Sequence, residues 1–405
     1  MRILVEVSWG MGNMVQGTPL CHALHLLGHD VDLFLHNRKI SARMAPLFEG
    51  WPVLGNIFHG SSDIEFGRYD LAVCCFGERR AAKRMPPGFY IDFGWYNLRA
   101  GNESERNLSA ARRLGWTDPT PPSHVQSSGR DFGLSPGTVV LHAGCDPANT
   151  IKRWPHWPEV CARLESVGKT IIVVGTESDR SQDGWEHKYR CEFGLPVNDL
   201  CALLDQATAY CGNDSGVGHI AAAIGLPGVL LFGPSDPVKN APNSKVLRQL
   251  VAPLGEGEAR QPTKQKTVPI DRLGVDEVWA ELQAVLTEPR RDPQRDLPAR
   301  ANPPVVPSGE RPTSPAEETT DSLEDHTHAL AAWNARRLIT EPDRARVIRE
   351  GMRDAAKVHL RLSELWRHAP GLEAIRQAKF HAQQAVRAGS RIRGTIAKFK
   401  AGHSG

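Results

Sequence analysis

Cys211-Gly212-Asn213-Asp214-Ser215-Gly216-Val217-Gly218-His219 runs directly into Ile220–Ile224 and then Gly225-Leu226-Pro227. An apolar run ends, a polar turn of small residues follows, and a helical pattern starts at once. That order reads strand, turn, helix, the repeating unit of wound α/β sheets. The first turn of a helix presents N–H groups without intrahelical partners and a partial positive charge. A diphosphate fits such a place. In this reading Asp214 and Ser215 cap the helix. Gly216 and Gly218 let a ligand approach the backbone, and His219, one turn in, adds a proton or a hydrogen bond. A plain capped helix with a packed histidine explains the same residues equally well at this stage.

Around that stretch the pattern repeats. Strands are expected at Thr138–Ala143, Thr170–Gly175, Thr208–Gly212 and Gly228–Phe232, with helices near Trp157–Glu165, Asn198–Ala207, Val217–Ile224 and Val275–Leu286. Two more loops fall at the carboxyl ends of these strands, where open parallel sheets take their ligands. Thr150-Ile151-Lys152-Arg153-Trp154-Pro155 offers two cations for phosphate, or a solvated basic loop. Gly175-Thr176-Glu177 offers a carboxylate that can accept hydrogen bonds from ribose hydroxyls, or a merely exposed one.

The N-terminal part alternates in the same way. Arg2–Val7 suits a buried strand, and Gly10-Met11-Gly12-Asn13 reads as a glycine loop. A helix is expected from about Thr18-Pro19 to a C-cap at Gly28. Val31–Leu35 and Leu71–Phe76 read as strands, and Asn102–Leu114 carries helical spacing. The glycine loop is not a dinucleotide fingerprint. Its spacing is Gly10-x-Gly12-x4-Gly17, and the second strand ends Phe34-Leu35-His36-Asn37 without the acidic residue a ribose needs.

The expected organisation is therefore an N-terminal Rossmann-like domain (1–116), a Pro/Ser/Gly-rich linker (117–136) and a second Rossmann-like domain (137–288). Residues 289–321 form a Pro-rich segment and 322–405 a basic helical extension. Between Pro289 and Pro315 eight residues are proline, with almost no large apolar side chain, so disorder is expected there. In the extension, Ile348, Met352, Ala355, His359, Leu362 and Trp366 step along one helical face; His359 reads as a core-edge residue. After Glu373 no acidic residue occurs. Arg376 to Lys400 are basic, and Ile392, Ile396 and Phe399 share a face, which suits a helix lying on an anionic membrane or one that is simply solvated.

Bulk properties exclude more than they assign. Net charge is +3 with histidines neutral, so global charge points to no nucleic acid. The eight cysteines form no CxxC pair, and no His/Cys cluster has zinc-ligand spacing. Reduced thiols in a cytoplasmic protein are the expectation. No signal peptide and no apolar run of membrane-spanning length is read from the chain.

Together these pieces resemble glycosyltransferase family nine, the heptosyltransferase-like family of the GT-B fold. Asn213–His219 with Ala221–Gly225 falls where that family has its signature. Leu231-Phe232-Gly233-Pro234-Ser235-Asp236-Pro237, Lys152 with Trp154-Pro155, and Gly12-Asn13 with Thr18-Pro19 follow its other motifs in order. The resemblance runs from Met1 to about Leu286. It implies two Rossmann-like domains facing a cleft. It implies donor contacts from Gly12, Lys152, Glu177, Asp214, Ser215, Gly216 and His219, with Asn13, Lys152 and His219 nearest the chemistry. A nucleotide-diphosphate sugar, ADP-heptose or similar, would be the donor, with a glycan or lipid-linked acceptor over the N-terminal half. It further implies inversion, no metal and no other cofactor, and work in lipopolysaccharide synthesis at the inner face of the cytoplasmic membrane. One position departs: where core heptosyltransferases carry a catalytic Asp, this chain has Asn13, and an amide is no base at neutral pH. Weak replacements are Asp92 and Glu6. The competing readings are a nucleotide-sugar or glycan-binding protein that lost its base, and a sugar-nucleotide epimerase.

Overall fold

The computed structural model describes residues 1–7, 10–36, 38–75, 80–93, 101–145, 147–180, 185–258, 268–290, 292, 310–315, 319–368 and 372–390. The N-terminal part runs β1 (Arg2–Val7), α1 (Met11–Leu26), β2 (Asp30–Leu35), α2 (Arg38–Met44), β3 (Leu54–Phe58), β4 (Leu71–Cys74), β5 (Tyr90–Asp92) and α3 (Glu103–Arg112). Its five strands are all parallel, in the order β3-β2-β1-β4-β5. The second unit runs β6 (Thr138–His142), α4 (Trp157–Ser166), β7 (Thr170–Gly175), β8 (Arg190–Phe193), α5 (Val197–Gln206), β9 (Ala209–Asn213), α6 (Gly216–Ala223), β10 (Gly228–Phe232), α7 (Pro237–Asn240), β11 (Leu247–Val251) and α8 (Val275–Val285). Its parallel sheet has the order β11-β10-β9-β6-β7-β8. Three long helices follow: α9 (Thr320–Thr340), α10 (Arg344–His368) and α11 (Leu372–Ser390).

α1 differs from its sequence expectation in an instructive way. It begins at Met11, not near Thr18, so the supposed glycine loop is the helix's first turn and Pro19 lies inside the helix. Proline has no N–H and leaves the carbonyl four residues back unsatisfied. The Thr18 hydroxyl donates to that same Val15 carbonyl at 2.6 Å, and it also accepts from His124 N at 2.9 Å. Gly28, at φ 81°, closes the helix as expected.

Alternation along the strands sends side chains to two different cores. Ile3, Val5, Val7, Val31, Leu33 and Val73 face α1 and α3, and this core is continuous with that under α5 and α6 of the second unit. The opposite face of the second sheet, with Val139, Leu141, Val173 and Leu231, packs on α4 and α8. Among the described residues, the opposite face of the N-terminal sheet takes no helix from the N-terminal part. Leu4, Phe34, Ala72, Cys74 and Tyr90 are covered by Leu338, Ile348, Met352, Phe380 and Ala388 of the three C-terminal helices. Asn334 Nδ2 donates to Gly88 O at 3.1 Å and Arg344 pairs with Asp70 at 3.1 Å. The extension is thus the missing layer of the first domain. The expected Pro-rich segment and the last basic stretch from Arg391 lie largely outside the described residues.

Candidate functional site

The two units meet at helix starts. α1 follows β1 and α6 follows β9, each at the carboxyl end of its sheet. They approach so closely that a Cβ on Gly216 would lie 2.7 Å from Met11 Cε, and one on Gly12 would lie 2.8 Å from His219 Cδ2. Glycine is required at both places by the neighbouring helix. Two helix N-termini therefore converge, and their partial positive charges add.

Neither start is closed by a side chain. The N-cap residues Gly10 and Ser215 make no side-chain cap hydrogen bond. This corrects the expectation that Asp214 and Ser215 cap α6. Asp214 instead takes Lys152 Nζ at 2.8 Å, and Ser215 Oγ sits 3.0 Å from His142 Nδ1. The caps are diverted, and the first-turn amides of α6 take no side-chain cap. His219 is buried, and burial pushes its imidazole down to about 4, with Lys152 adding to the effect and Asp214 opposing it. It is neutral at neutral pH, and its Nδ1 meets no hydrogen-bond partner among the described residues. His142 is likewise lowered to about 4 by burial and orients Ser215 as a neutral ring.

Asn213, the first residue of the signature stretch, was given no role from sequence. Buried at the end of β9, its Nδ2 donates to Ala143 O at 2.8 Å, so it ties the loop after β6 to the loop before α6. Asp179 was missed as well. It accepts from Thr176 N at 2.8 Å and Thr176 Oγ1 at 2.7 Å, and lies 3.8 Å from Arg153. Only the burial of one acid beside an exposed one distinguishes it from Glu177. Glu177 is exposed and paired with Arg180 at 2.8 Å, which holds its carboxyl below the usual range. It sits at the carboxyl end of β7, two strands from β9, about 10 Å along the same rim. Gly12, Asn13, Lys152, Asp214, Ser215, Gly216 and His219 are brought together; Glu177 is at the edge.

The replacement bases fare differently. Glu6 is buried and fully engaged, accepting from Ala81 N at 2.7 Å, Arg80 N at 3.0 Å and Cys74 Sγ at 3.2 Å. Burial raises its carboxyl above the ordinary value. It is a loop anchor. Asp92 ends β5, two strands from β1, and borders a separate cavity. Among the described residues no group of three or more His, Cys, Asp or Glu is placed to hold a metal, and no helix is long and apolar enough to cross a membrane. All eight cysteines are free thiols.

Two parallel sheets whose carboxyl ends face one another across converging helix starts define the GT-B architecture. Solved structures of this class superpose on the chain. A glycosyltransferase family 9 protein from Veillonella parvula gives a TM-score of 0.56 at 16% identity, covering 70% of this chain and 97% of that one. The E. coli ADP-heptose lps heptosyltransferase II gives 0.54 at 20%, covering 71% and 98%. Residues 126–268 match the model of glycosyltransferase family 9 (heptosyltransferase). A curated relative, lipopolysaccharide heptosyltransferase 2 of Salmonella typhimurium, is 29% identical over 52% of this chain and 58% of its own length. The chain thus spans little more than half of that relative.

Proposed function

We propose that this protein transfers a sugar, heptose or a related one, from a nucleotide-diphosphate donor to a glycan or lipid-linked acceptor in lipopolysaccharide synthesis. One observation carries the reading: two uncapped helix starts, α1 and α6, converge beside Lys152 and the buried neutral His219. That is an anion cradle with donors fixed before the ligand arrives.

The chemistry follows from the charges. The acceptor hydroxyl oxygen attacks the anomeric carbon from the side opposite the diphosphate, so the configuration inverts. The C1–O bond to the diphosphate breaks, and its electron pair leaves with the nucleoside diphosphate. The α6 amides and Lys152 stabilise the growing negative charge, work that a divalent cation does in other enzymes. Asn13, in the first turn of α1 on the acceptor side, orients the attacking hydroxyl; the proton passes to solvent or to the departing phosphate. The reading places the enzyme in the cytoplasm, with membrane contact, if any, through residues after Ser390. Liposome co-sedimentation of the full chain against one ending at Ser390 tests that contact, since α11 up to this point is part of the fold.

The test of the function is a panel of nucleotide sugars, assayed first for binding by calorimetry with and without EDTA, then for acceptor-dependent release of nucleoside diphosphate. Binding without release favours a non-catalytic binding protein, a reading that Asn13 keeps open. A changed sugar without acceptor marks an epimerase.

A further inference from the structure

Ser215 holds the N-cap position of α6 with an extended backbone, φ −159° and ψ 172°, yet its hydroxyl makes no cap. Serine is among the residues that cap a helix best, through an oxygen that accepts from first-turn amides. Here the oxygen is held elsewhere. His142, the last residue of β6 and only 6% exposed, places Nδ1 3.0 Å from Ser215 Oγ. The ring has a built seat. His142 stands opposite Gly212 in the parallel register of β6 and β9. A Cβ on Gly212 would lie 3.1 Å from His142 Cβ and would collide with the buried hydroxyl of Tyr210. The glycine thus makes room for both rings at the strand ends that lead to α6. Two more buried atoms at this helix start, His219 Nδ1 and Asn213 Oδ1, meet no partner among the described residues. Buried polar atoms are ordinarily satisfied, so these two point to a ligand.

We infer that His142 is a positioning residue for the donor diphosphate and acts through Ser215. Its Nδ1–H donates to Ser215 Oγ in place of the α6 amides. The amides then stay available to phosphate oxygens. The Ser215 O–H, its oxygen already accepting from the ring, is turned toward a ligand that offers acceptors only. A neutral imidazole does this in one tautomer alone, with the proton on Nδ1. His142 itself touches no substrate. The proposal rests on the glycosyltransferase reading and adds to its motif positions a residue from the end of β6.

Nitrogen-15 NMR of the imidazoles and calorimetry with ADP, both on the full chain, test it. In the ligand-free protein the His142 ring, assigned by its loss in His142→Asn, should carry its proton on Nδ1. Ser215→Ala should shift that proton toward Nε2. His142→Phe, which has no ring nitrogen, should weaken ADP binding by about threefold to tenfold, the worth of one neutral hydrogen bond. His142→Asn keeps an N–H near the Nδ1 position and should restore most of the affinity. Because the effect passes through Ser215, His142→Phe should cost little further affinity in the Ser215→Ala background. A ring that only packs gives the reverse, with Asn worse than Phe and equal losses in both backgrounds. An Nε2–H tautomer in the ligand-free protein, unchanged ADP affinity in His142→Phe, or additive losses would overturn the proposal. The tautomer is read on the unaltered chain, so it decides the hydrogen bond even where His142→Phe does not fold. Failure of ADP to bind the unaltered chain sinks the donor reading instead, and the ligand-free spectrum still decides the bond between His142 and Ser215.

Discussion

Gly12 and His219 touch across the two halves of the molecule: a methyl group on Gly12 would come within 2.8 Å of the imidazole Cδ2. Ala is the better helix former by about 1 kcal/mol, yet overpacking a fixed neighbour costs about 1–3 kcal/mol. Gly12→Ala is therefore expected to lower the melting temperature and weaken ADP binding, because the ring must leave its place. Removing the ring should relieve the conflict. Thermal unfolding of Gly12→Ala, His219→Ala and the double variant should show the double less destabilised than the sum. Simple additivity would separate the two residues.

Lys152 Nζ lies 2.8 Å from Asp214 and beside the α6 start. Lys152→Ala should weaken ADP binding by about 1.5–3 kcal/mol, the worth of a charge-assisted hydrogen bond, or roughly one to two orders of magnitude in Kd. Calorimetry reads this directly. Unchanged affinity, or complete loss of binding on chelation in the unaltered enzyme, contradicts the proposed cradle.

Acid should destabilise the fold in a defined window. Burial lowers His22, His124, His142 and His219 to about 4 and His29 to about 3, against about 6.5 when unfolded. Below pH 6.5 the unfolded chain binds protons that the native state refuses, so stability falls with pH down to about 4. The slope is about 1.4 kcal/mol per pH unit for each such ring. Glu6 and Glu103, both raised by burial, work in the opposite direction above pH 4.5 and offset part of the loss. Urea midpoints at pH 7, 6 and 5 should decline in that order; a flat profile contradicts the burial of neutral rings.

The C-terminal helices should prove indispensable to the first domain. Met352 is fully buried among residues facing the N-terminal sheet. Met352→Ala is expected to cost about 2–5 kcal/mol. A chain ending at Leu286 should aggregate, with Leu4, Phe34 and Ala72 stripped of their cover. A soluble, cooperatively folding truncation would show the layer to be dispensable.

What could be read from the chain, and what could not, divides along physical lines. β1, β7 and β10 were legible to the residue because buried parallel strands are continuous apolar runs. β5 and β8 were not, being three or four residues long on sheet edges, where little packing marks the sequence. The α1 start was misplaced because Gly10, Gly12 and Pro19 all argue locally against a helix. The contact with His219, some 200 positions away, and the Thr18 hydroxyl override them. Motif order put Lys152 and the α6 start in one reading, and the fold sets Lys152 Nζ 2.8 Å from Asp214 just before α6. The same reading assigned caps where Lys152 and His142 compete for the same side chains, a competition no linear reading contains.

Asn13 poses the sharpest question. It is the third residue of α1 and half-buried, and Gly10 holds the N-cap position, so the Asn13 amide is not there as an N-cap. Glu6 is sealed by its own donors. Asp92 is two strands away. On the proposed glycosyltransferase reading, the reaction would run without a full general base, a loss of about 10²–10⁴ in rate, or 3–5 kcal/mol of barrier at about 1.36 kcal/mol per tenfold. Positioning by the amide recovers part of this. Asn13→Ala should lower acceptor-dependent diphosphate release at least tenfold while ADP affinity holds, since the proposed donor cradle is built on α6 and Lys152. Asn13→Asp should keep or raise turnover: a carboxylate in the first turn is favoured by the helix dipole and supplies the missing base, so the rate should gain a rising pH limb near the carboxylate range. Asp92→Asn should leave turnover within about threefold. A silent Asn13→Ala together with a dead Asp92→Asn would move the base to β5 and end the positioning role.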